Sequence, residues 1–371
     1  MTMFLRILTI ITVLMSFAAR AAADDADATC AQAIGPWLWS FPRDHGSHPD
    51  FRTEWWYFTG NLIDEQGKRY GYQLTFFRQG IQPHPDTDNP WSVRDLFFAH
   101  FTITDVAEDR FDVADSISRA GPGLAAARSD GLEVWILDWS AAMHDSVISL
   151  KAAKAGMDLE LELRPAKPLV LHGQGGLSAK GPRPGQASYY TSFTDLETQG
   201  FIKPRNSLSR IAVRGVSWFD HEFGSNQLAP DQQGWDWFSL HLSDGRDLMI
   251  YLLRKTDGSL EPASSGTMVE ADGAWQHLVQ SDITVSVLDT WKSPHSGGRY
   301  PARWRITIPK AGLDLTIKPL RADQELNTQE SIGLSYWEGA VSGVGQSQGK
   351  RVSCEGYVEL TGYAGGIGGV F

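Results

Sequence analysis

An aromatic stretch that occurs twice decides the fold class. Residues 55–62 read WWYFTGNL, and residues 235–242 read WDWFSLHL. Both are rich in aromatic residues, which favour β-strands, and each is followed by a polar turn and a further apolar strand. Residues 154–159 (KAGMDL) match residues 310–315 (KAGLDL) in the same order. Ordered matches of this kind predict two diverged copies of one β-rich unit.

The rest of the chain also has a strand-like pattern. Short alternating or β-branched segments, such as residues 70–77, 96–104 and 303–308, are separated by Gly, Pro and Asp-Gly turns. We therefore expect an all-β fold with little helix. Because antiparallel sheets avoid exposed edges by closing, two small antiparallel β-barrels side by side are the favoured architecture. A pair of sandwiches or one large jelly roll is the alternative.

The N-terminus predicts export. Residues 1–23 contain Arg6, an apolar run over residues 7–19 and an Ala-Ala-Ala cleavage site before Asp24, as secretory signal peptides do. An uncleaved N-terminal anchor is the alternative. No other stretch approaches the ~18 apolar residues of a spanning helix. We expect a periplasmic or secreted protein without a membrane span after removal of the signal peptide.

The length of 371 residues suits two domains. The pattern breaks at residues 229–233, which read APDQQ. The expected organisation is a signal peptide over 1–23, an N-terminal arm over 24–44, a first barrel over 45–230, a second over 231–365 and a Gly-rich tail over 366–371.

Composition narrows the range of ligands. The chain has 33 Lys and Arg against 44 Asp and Glu, for a net charge of −11, whereas nucleic-acid binders present a basic face. The 14 Trp, 17 Phe and 10 Tyr predict large aromatic surfaces or an aromatic-lined pocket. We therefore expect an apolar small-molecule ligand and no nucleic acid.

Glu54 introduces a carboxylate into the first aromatic strand. In a strand, Glu54 and Trp56 share one face and Tyr57 lies on the other. Burial among aromatic rings would raise the pKa of Glu54 toward the range of a general acid. The alternative is a Glu at the rim that pairs with Arg52 or Arg78.

A second strand carries three consecutive ionisable residues, Asp220, His221 and Glu222, between apolar neighbours. Trp218, Asp220 and Glu222 are expected on one face, and His221 on the other. When Gly215 is aligned with Gly356, the second copy has this strand without the charges. That asymmetry suggests a functional role, and a salt-bridge and capping cluster is the alternative.

The histidines give little support for a metal site. His241 takes the place that Asn61 holds in the first aromatic stretch, and with His221 it could transfer protons or bind a metal. However, there is no HExxH motif, and His45 and His48 lie in a loop with no evident third ligand. We expect no metal and no cofactor.

Several standard catalytic signatures are missing from the sequence. Residues 215–219 read GVSWF, which lacks the final Gly of a G-x-S-x-G nucleophile elbow. There is neither a P-loop nor a dinucleotide-binding G-x-G-x-x-G. The sequence therefore gives no support to a serine-nucleophile mechanism.

The two cysteines, Cys30 and Cys354, lie near the two ends of the chain. In an exported protein they could form one disulfide that ties the N-terminal arm to the last strand. Two separate thiols are the alternative. We favour the disulfide because no zinc-type cysteine cluster competes for them.

Four motifs resemble a known family. Residues 54–62 (EWWYFTGNL), 218–223 (WFDHEF), 234–238 (GWDWF) and 336–339 (YWEG) resemble the AttH-like, carotenoid 1,2-hydratase-related proteins, and in particular an exported branch labelled "predicted secreted hydrolase". The resemblance extends from about residue 41 to residue 363. It implies two lipocalin-like (calycin-type) barrels with a hydrophobic pocket where they meet.

The resemblance also implies an activity. Hydratases of this group add water to an isolated double bond, using an acid aided by a His-x-Trp segment and a later Tyr-x-Asp. The first matches His221 to Phe223, with Phe in place of Trp, and the second matches Tyr251 to Leu253, with Leu in place of Asp. Asp220 or Glu54 would then be the acid.

We therefore predict an exported protein that binds an isoprenoid- or lipid-like compound between its barrels, with acid–base activity of the hydratase or hydrolase type. Asp220, His221 and Glu54 are expected to converge on the pocket as catalytic residues. The expected substrate-binding residues are Trp56, Tyr57, Trp218, Glu222, Trp237, His241, Tyr251, Trp337 and Glu338. The alternative is a non-catalytic carrier or an export accessory that works with membrane export machinery.

Overall fold

The computed structural model describes residues 30–81, 93–226, 228–328 and 331–365, and their secondary structure is almost entirely β-strand. Helix within these ranges consists of the single 3₁₀ turns Arg43–His45, Gln280–Asp282 and Pro309–Ala311. The predicted signal peptide and Gly-rich tail lie outside the described residues. None of the described helices has the length and apolar character needed to cross a membrane.

The first sheet is antiparallel and extends from residue 53 to residue 224. Its strands are β1 (Thr53–Asp64), β2 (Arg69–Gly80), β3 (Asp95–Asp105), β4 (Arg110–Arg119), β5 (Ala125–Ala127), β6 (Glu133–Ile136), β7 (Trp139–His144), β8 (Val147–Lys154), β9 (Met157–Pro165), β10 (Val170–Leu171), β11 (Leu177–Ala179), β12 (Ala187–Lys203) and β13 (Ile211–Gly224). The spatial order is β4-β3-β2-β1-β13-β12-β9-β8-β7-β6-β5, with β10 and β11 beside β12.

The second sheet is also antiparallel and extends from residue 232 to residue 360. Its strands are β14 (Gln232–Leu242), β15 (Asp247–Lys255), β16 (Ser265–Val269), β17 (Trp275–Val279), β18 (Thr284–Lys292), β19 (Arg299–Ile308), β20 (Leu313–Pro319), β21 (Glu325–Asn327), β22 (Ser335–Ser347) and β23 (Lys350–Leu360). The spatial order is β17-β16-β15-β14-β23-β22-β20-β19-β18, with β21 beside β22.

The two strand orders match over nine consecutive positions, from β4 to β7 in the first sheet and from β17 to β18 in the second, and β6 and β5 extend the first sheet beyond this match. The match confirms the duplication. The first aromatic stretch forms β1 and its copy forms β14, and β13 and β23 are their respective neighbours. Both sheets are barrel-like, one nearly closed and the other a half-barrel. The prediction of an all-β fold with two lipocalin-like barrels is therefore confirmed.

The strand register corrects the alignment of the two copies. Leu62 of β1 pairs with Gly215, whereas the equivalent Leu242 of β14 pairs with Cys354. Gly215 therefore corresponds to Cys354, two residues before the Gly356 that the sequence suggested. With this register, Asp220 opposite Tyr57 corresponds to Glu359 opposite Trp237. The expectation that the second copy has this strand without the charges is thus wrong at Asp220, where the second copy keeps a carboxyl group, whereas His221 and Glu222 correspond to the uncharged Leu360 and Thr361.

Each sheet encloses its own hydrophobic core, and a third cluster lies between the sheets. Trp56 and Phe58 belong to the first core, and Phe238 and Trp337 to the second. The cluster between the sheets consists largely of the aromatic residues Tyr57, Tyr190, Trp218, Trp237, Tyr251 and Tyr357. Because residues alternate along a strand, each aromatic strand supplies both a core and this inter-sheet layer.

Buried hydrogen bonds fix one sheet against the other. Asn61 Nδ2 donates to the Gly356 carbonyl at 3.0 Å. On another side of the interface, Lys167 Nζ donates to Asp247 Oδ2 at 2.7 Å, and the Thr194 hydroxyl donates to the same oxygen at 2.8 Å. Since buried polar groups need such partners, these bonds define how the sheets are placed.

The predicted disulfide is wrong. Both cysteines are among the described residues, and no disulfide joins them. Cys30 precedes Ala31, whose backbone is hydrogen-bonded to Asp50 and Ser225 at the first sheet. Cys354 lies in the core of the second sheet, where burial raises the pKa of its thiol to about 12. Cys354 therefore lies in a strand of the second sheet, whereas Cys30 lies in the N-terminal segment beside the first sheet, although both are near a chain end.

Candidate functional site

An aromatic cavity lies where the two sheets meet. It contains about 830 Å³ of empty space when the part open to solvent is included. Its walls are formed by Trp55, Tyr57, Phe77, His100, Asp220, Glu222, Leu228, Trp235, Trp237, Tyr251, Ile332, Leu334, Tyr336, Glu359 and Thr361.

Asp220 is a buried carboxyl group on the wall contributed by β13. Its Oδ1 accepts hydrogen bonds from Trp218 Nε1 at 2.6 Å and from the Ser192 hydroxyl, and its Oδ2 accepts one from the Tyr190 hydroxyl at 2.7 Å. Burial raises the pKa of Asp220 to about 7, although the three hydrogen bonds act in the opposite direction. Near neutral pH the group therefore exchanges readily between its acid and its carboxylate form.

Glu359 occupies the equivalent place on β23. Burial raises the pKa of Glu359 to about 7, a hydrogen bond from Trp235 opposes the change, and the charges of Asp220 and Glu222 add to it. The cavity thus contains two pseudo-equivalent carboxyl groups, one from each copy of the repeated unit. Because nearby carboxylates repel one another, ionisation of one disfavours ionisation of the other.

A third carboxyl group, Glu338, lies directly opposite Glu359 on the neighbouring strand. Its Oε1 accepts a hydrogen bond of 2.6 Å from the Tyr57 hydroxyl, which joins the second sheet to the first. Burial, together with the charge of Glu359, raises the pKa of Glu338 well above its usual value. Like charges opposite each other across two strands are unfavourable, so this pair favours a protonated form.

Glu222 differs from these groups because a cation faces it. Lys180 Nζ lies 3.0 Å from Glu222 Oε1, and the Ser188 hydroxyl donates to the same oxygen. The ammonium group also lies 3.9 Å from the centre of the Tyr251 ring, within cation–π range. Burial lowers the pKa of Lys180, and the charge of Glu222 opposes that change.

Glu54 and His221 lie on the opposite face of the same strands. Glu54 Oε1 is 2.9 Å from His221 Nε2 and 3.0 Å from His48 Nδ1, and Arg78 Nε donates to Glu54 Oε2 at 3.0 Å. Burial acts to raise the pKa of Glu54, but the side-chain contacts with His221 and His48 and the charge of Arg78 outweigh it. They hold the pKa well below its usual range. Glu54 is therefore an ionised carboxylate in a salt bridge with Arg78, which was the alternative that the sequence left open.

The three predicted catalytic side chains do not converge. Asp220 lines the cavity, whereas Glu54 and His221 face the interior of the first sheet. The reason is local geometry: consecutive residues of a strand point to opposite faces. The structure also brings Glu54 and His221 to His48, which corrects the expectation that this loop histidine has no further ligands nearby.

The predicted substrate-binding residues lie in four different places. Tyr57, Glu222, Trp237 and Tyr251 line the cavity, while Trp218 and Glu338 support residues of its wall through hydrogen bonds. Trp56 and Trp337 lie in the two cores instead, where their indole nitrogens donate to the His45 and Ala322 carbonyls. His241 contacts Asp247 at 3.0 Å rather than His221, so it lies outside the wall.

Sequence reasoning missed several wall residues. Glu359 was missed because Gly215 was aligned with Gly356, and this alignment places Glu359 two residues away from the equivalent of Asp220. His100 and Tyr336 come from different sheets and meet through a contact of 2.7 Å between His100 Nδ1 and the Tyr336 hydroxyl. Burial lowers the pKa of His100 to about 3, so this ring is neutral. No local signal in the sequence joins two residues so far apart.

Comparison with known proteins agrees with this geometry. The model of the family described as AttH-like matches residues 32–363. The chain belongs to the AttH-like family. The crystal structure of a putative AttH from Nitrosomonas europaea is similar to this chain with a TM-score of 0.80 and 34% identity, over 90% of this chain and 99% of that one.

More distant similarities connect this AttH-like chain with fungal proteins. Kievitone hydratase from Nectria haematococca shares the fold, with a TM-score of 0.67 and 15% identity over 91% of this chain and 97% of that one. Dehydratase asqC from Emericella nidulans is 24% identical over 152 residues. That match covers 40% of this chain and 42% of the fungal protein, so it spans less than half of that relative.

Proposed function

We propose that this AttH-like protein catalyses the addition or removal of water on an apolar, isoprenoid- or lipid-like compound held between the two sheets. The observation that carries the proposal is the pair of pseudo-equivalent carboxyl groups, Asp220 and Glu359, on the wall of an aromatic cavity. The fold shared with a hydratase and the partial match to a dehydratase support the same reaction class.

Hydration of an alkene needs a neutral acid and a base. One carboxylic acid, Asp220 or Glu359, donates its proton to a carbon of the double bond, and the adjacent carbon becomes a cation. Aromatic faces such as those of Trp55 and Trp237 can stabilise that cation. Water then adds to the cation and gives its extra proton to the second carboxylate, so that atoms and charge balance. Dehydration is the reverse sequence.

The apolar surroundings allow one carboxyl group to act as the acid and the other as the base. A carboxylic acid with an ordinary pKa would be ionised at neutral pH and could not donate a proton to carbon. Burial provides both the neutral acid and the water-poor environment in which a carbocation survives. Tyr190 and Trp218 hold the carboxyl group of Asp220 in a fixed orientation within the cavity wall.

The test uses the full chain and an apolar extract of the source cells. The protein is incubated in water enriched in heavy oxygen, and mass spectrometry searches for products that differ from a compound in the extract by one water molecule. Asp220→Asn and Glu359→Gln should each lower turnover by about 100-fold or more, which is the usual contribution of general acid–base groups. Glu355→Gln, on the same strand but paired with Arg69 at the rim, is the matched control.

Two outcomes would contradict the enzyme proposal. Undiminished turnover in both carboxyl variants would remove Asp220 and Glu359 from the mechanism. If wild type and all variants retain a bound apolar compound without any change in its mass, the protein is the non-catalytic carrier that the sequence left as the alternative.

We also propose that the protein acts outside the cytoplasm, because residues 1–23 have the pattern of a signal peptide. Fractionation of the source cells should place the protein in the periplasm or medium, and intact mass should show a chain that starts at Asp24. A full-length chain in the cytoplasmic fraction would contradict this proposal.

A further inference from the structure

A second polar cluster lies on the inner face of the first sheet, away from the cavity. His48 Nδ1, Glu54 Oε1 and His221 Nε2 all lie within 4.8 Å of one another. The side chain of His48 is 9% exposed, and the other two are fully buried. The Phe223 ring stacks on His48 with a centroid distance of 3.5 Å, and the Trp56 ring stacks on His221 at 5.2 Å. The aromatic rings therefore fix both imidazoles in place.

The ring nitrogens of His48 and His221 are surrounded by hydrogen-bond acceptors. The other nitrogen of each imidazole contacts Asp44: His48 Nε2 lies 3.4 Å from its Oδ1, and His221 Nδ1 lies 3.1 Å from its carbonyl oxygen. Carbonyl and carboxylate oxygens only accept, and a neutral imidazole has one N–H. Each ring therefore faces an acceptor on both sides. In a neutral ring one nitrogen then meets an oxygen lone pair without a hydrogen between them, whereas a doubly protonated ring donates on both sides.

We propose that a divalent transition-metal ion of the Zn²⁺ class binds between His48 Nδ1, His221 Nε2 and Glu54 Oε1. When both N–H groups point to Asp44, His48 Nδ1 and His221 Nε2 each keep a lone pair, and these atoms and Glu54 Oε1 lie within 4.8 Å of one another. Two imidazole nitrogens and a carboxylate oxygen are a common donor set for zinc. A water molecule can complete the tetrahedral geometry.

The spacing fits this ion after a small adjustment. Zinc bonds of about 2.0–2.1 Å in tetrahedral geometry place neighbouring ligand atoms about 3.3 Å apart. Glu54 Oε1 lies 3.0 Å from His48 Nδ1 and 2.9 Å from His221 Nε2, so each pair needs to open by a few tenths of an ångström.

The surroundings complete the pattern of a metal site. Metal-bound histidines usually donate their second N–H to a carboxylate or a carbonyl group, and Asp44 supplies one of each. Arg78 binds the other oxygen of Glu54, Oε2, and its positive charge is shared with Asp95 through a contact of 3.0 Å. The oxygen that faces the histidines, Oε1, accepts the backbone N–H of His48 at 3.0 Å and keeps a further lone pair for a cation.

The ion would join three segments that are distant in sequence. His48 lies in the loop before β1, Glu54 in β1, and His221 in β13. Because the cavity is on the opposite face of these strands, we assign the ion a structural role and not a role in the proposed hydration. The inference is therefore independent of the proposed function.

Metal content is the first measurement. The full chain is purified without chelators or metal-affinity resin, and elemental analysis should find one equivalent of zinc or a related ion per chain. A strong chelator should lower the melting temperature, and added Zn²⁺ should restore it. His48→Gln, His221→Gln and Glu54→Gln should each lose the bound ion. His172→Gln is the control, because His172 is equally buried but contacts the hydroxyl groups of Thr267 and Ser192.

Location is the second measurement, and it does not depend on variants that could fail to fold. Anomalous scattering at the zinc edge in crystals of the wild-type protein should place the ion between the three ligand atoms. An ion at any other place would overturn the proposal. So would a zinc-treated protein without bound metal whose nitrogen NMR spectra show both rings doubly protonated, because two imidazolium ions would then satisfy the cluster.

Discussion

The two faces of β13 carry ionisable groups with opposite surroundings. On the cavity face, Asp220 accepts hydrogen bonds from neutral groups, and burial raises its pKa to about 7. On the inner face, His221 contacts Glu54, whose second oxygen is bound by Arg78, and the pKa of Glu54 lies well below its usual range. The side chains of Asp220 and Glu54 are both almost completely buried, so the degree of burial alone does not explain the difference between their pKa values.

The comparison shows that the partner decides what a buried carboxyl group can do. A guanidinium group with near-ideal geometry compensates the desolvation of Glu54, which then serves to hold segments together. Asp220 accepts its hydrogen bonds from the neutral groups of Tyr190, Ser192 and Trp218, and it retains its proton to a higher pH. We therefore propose a catalytic role for the cavity face and a structural role for the inner face.

The largest expected effect is on the inner face. Arg78 donates to Glu54, Asp95 and the His48 and Phe51 carbonyls. Arg78→Met removes these bonds and leaves buried carboxylates without their cation, which should lower the free energy of unfolding by about 3–5 kcal/mol. Denaturant titration measures the loss. Arg210→Met, which breaks exposed ion pairs, is the control and should cause no measurable change. Equal stability of the two variants would contradict a structural role for the inner face.

The next effect is a pH dependence on the cavity face. The pKa of Asp220 is about 7 in the folded protein against 3.8 for an unperturbed Asp, so the folded state binds the proton more tightly. This group's contribution therefore makes wild-type stability fall as pH rises from about 4 to about 7. Asp220→Asn cannot titrate, so the stability of the variant relative to wild type should rise across that window by up to about 4 kcal/mol.

The test of this prediction is how the difference in stability between Asp220→Asn and wild type changes with pH. The hydrogen bonds lost in the variant add only a part that does not depend on pH. Asp130→Asn is the control, because Arg128 lowers the pKa of Asp130: its slope has the opposite direction and lies below about pH 4, so its difference from wild type should stay nearly constant from pH 4 to pH 8. Denaturation of each variant at several pH values gives the comparison. A difference between Asp220→Asn and wild type that stays constant from pH 4 to pH 8 would show that the Asp220 carboxyl group is not perturbed.

A smaller effect concerns the bond that joins the cavity faces of the two sheets. Tyr57→Phe removes the donor to Glu338 and should lower the free energy of unfolding by about 1–3 kcal/mol, because the buried carboxyl group loses its partner. Tyr70→Phe is the matched change within the first sheet, where the hydroxyl group donates to Asp64 over 3.3 Å. Thermal unfolding should show the larger loss for Tyr57→Phe, and the reverse order would contradict the importance of the inter-sheet bond.

The smallest effect is expected at the exposed rim of the same interface. Arg69 and Glu355 form an ion pair of 3.2 Å with both side chains more than a third exposed. Arg69→Met should change the free energy of unfolding by less than about 1 kcal/mol, and added salt should remove the difference. A larger, salt-independent loss would mean that the rim, and not the buried layer, holds the sheets together.

Most of the fold could be predicted from the sequence because its signals are local. The aromatic stretches, the alternation of faces and the repeated order of motifs all follow from properties of neighbouring residues. The same reasoning placed Asp220 and Glu222 on one face and His221 on the other, as the structure shows. It erred where it combined residues from both faces into one site, and where it aligned Gly215 with Gly356 without knowing the strand register.

The sequence by itself determined the strands, their duplication and the two faces of each strand, because a period of two residues is a property of the extended backbone. Only the tertiary structure decided which side chains meet. Arg78 reaches Glu54, Glu359 shares a cavity with Asp220, and Cys354 lies in the second sheet while Cys30 lies beside the first. Strand pairing joins residues more than a hundred positions apart, and no local pattern carries the register that sets those contacts.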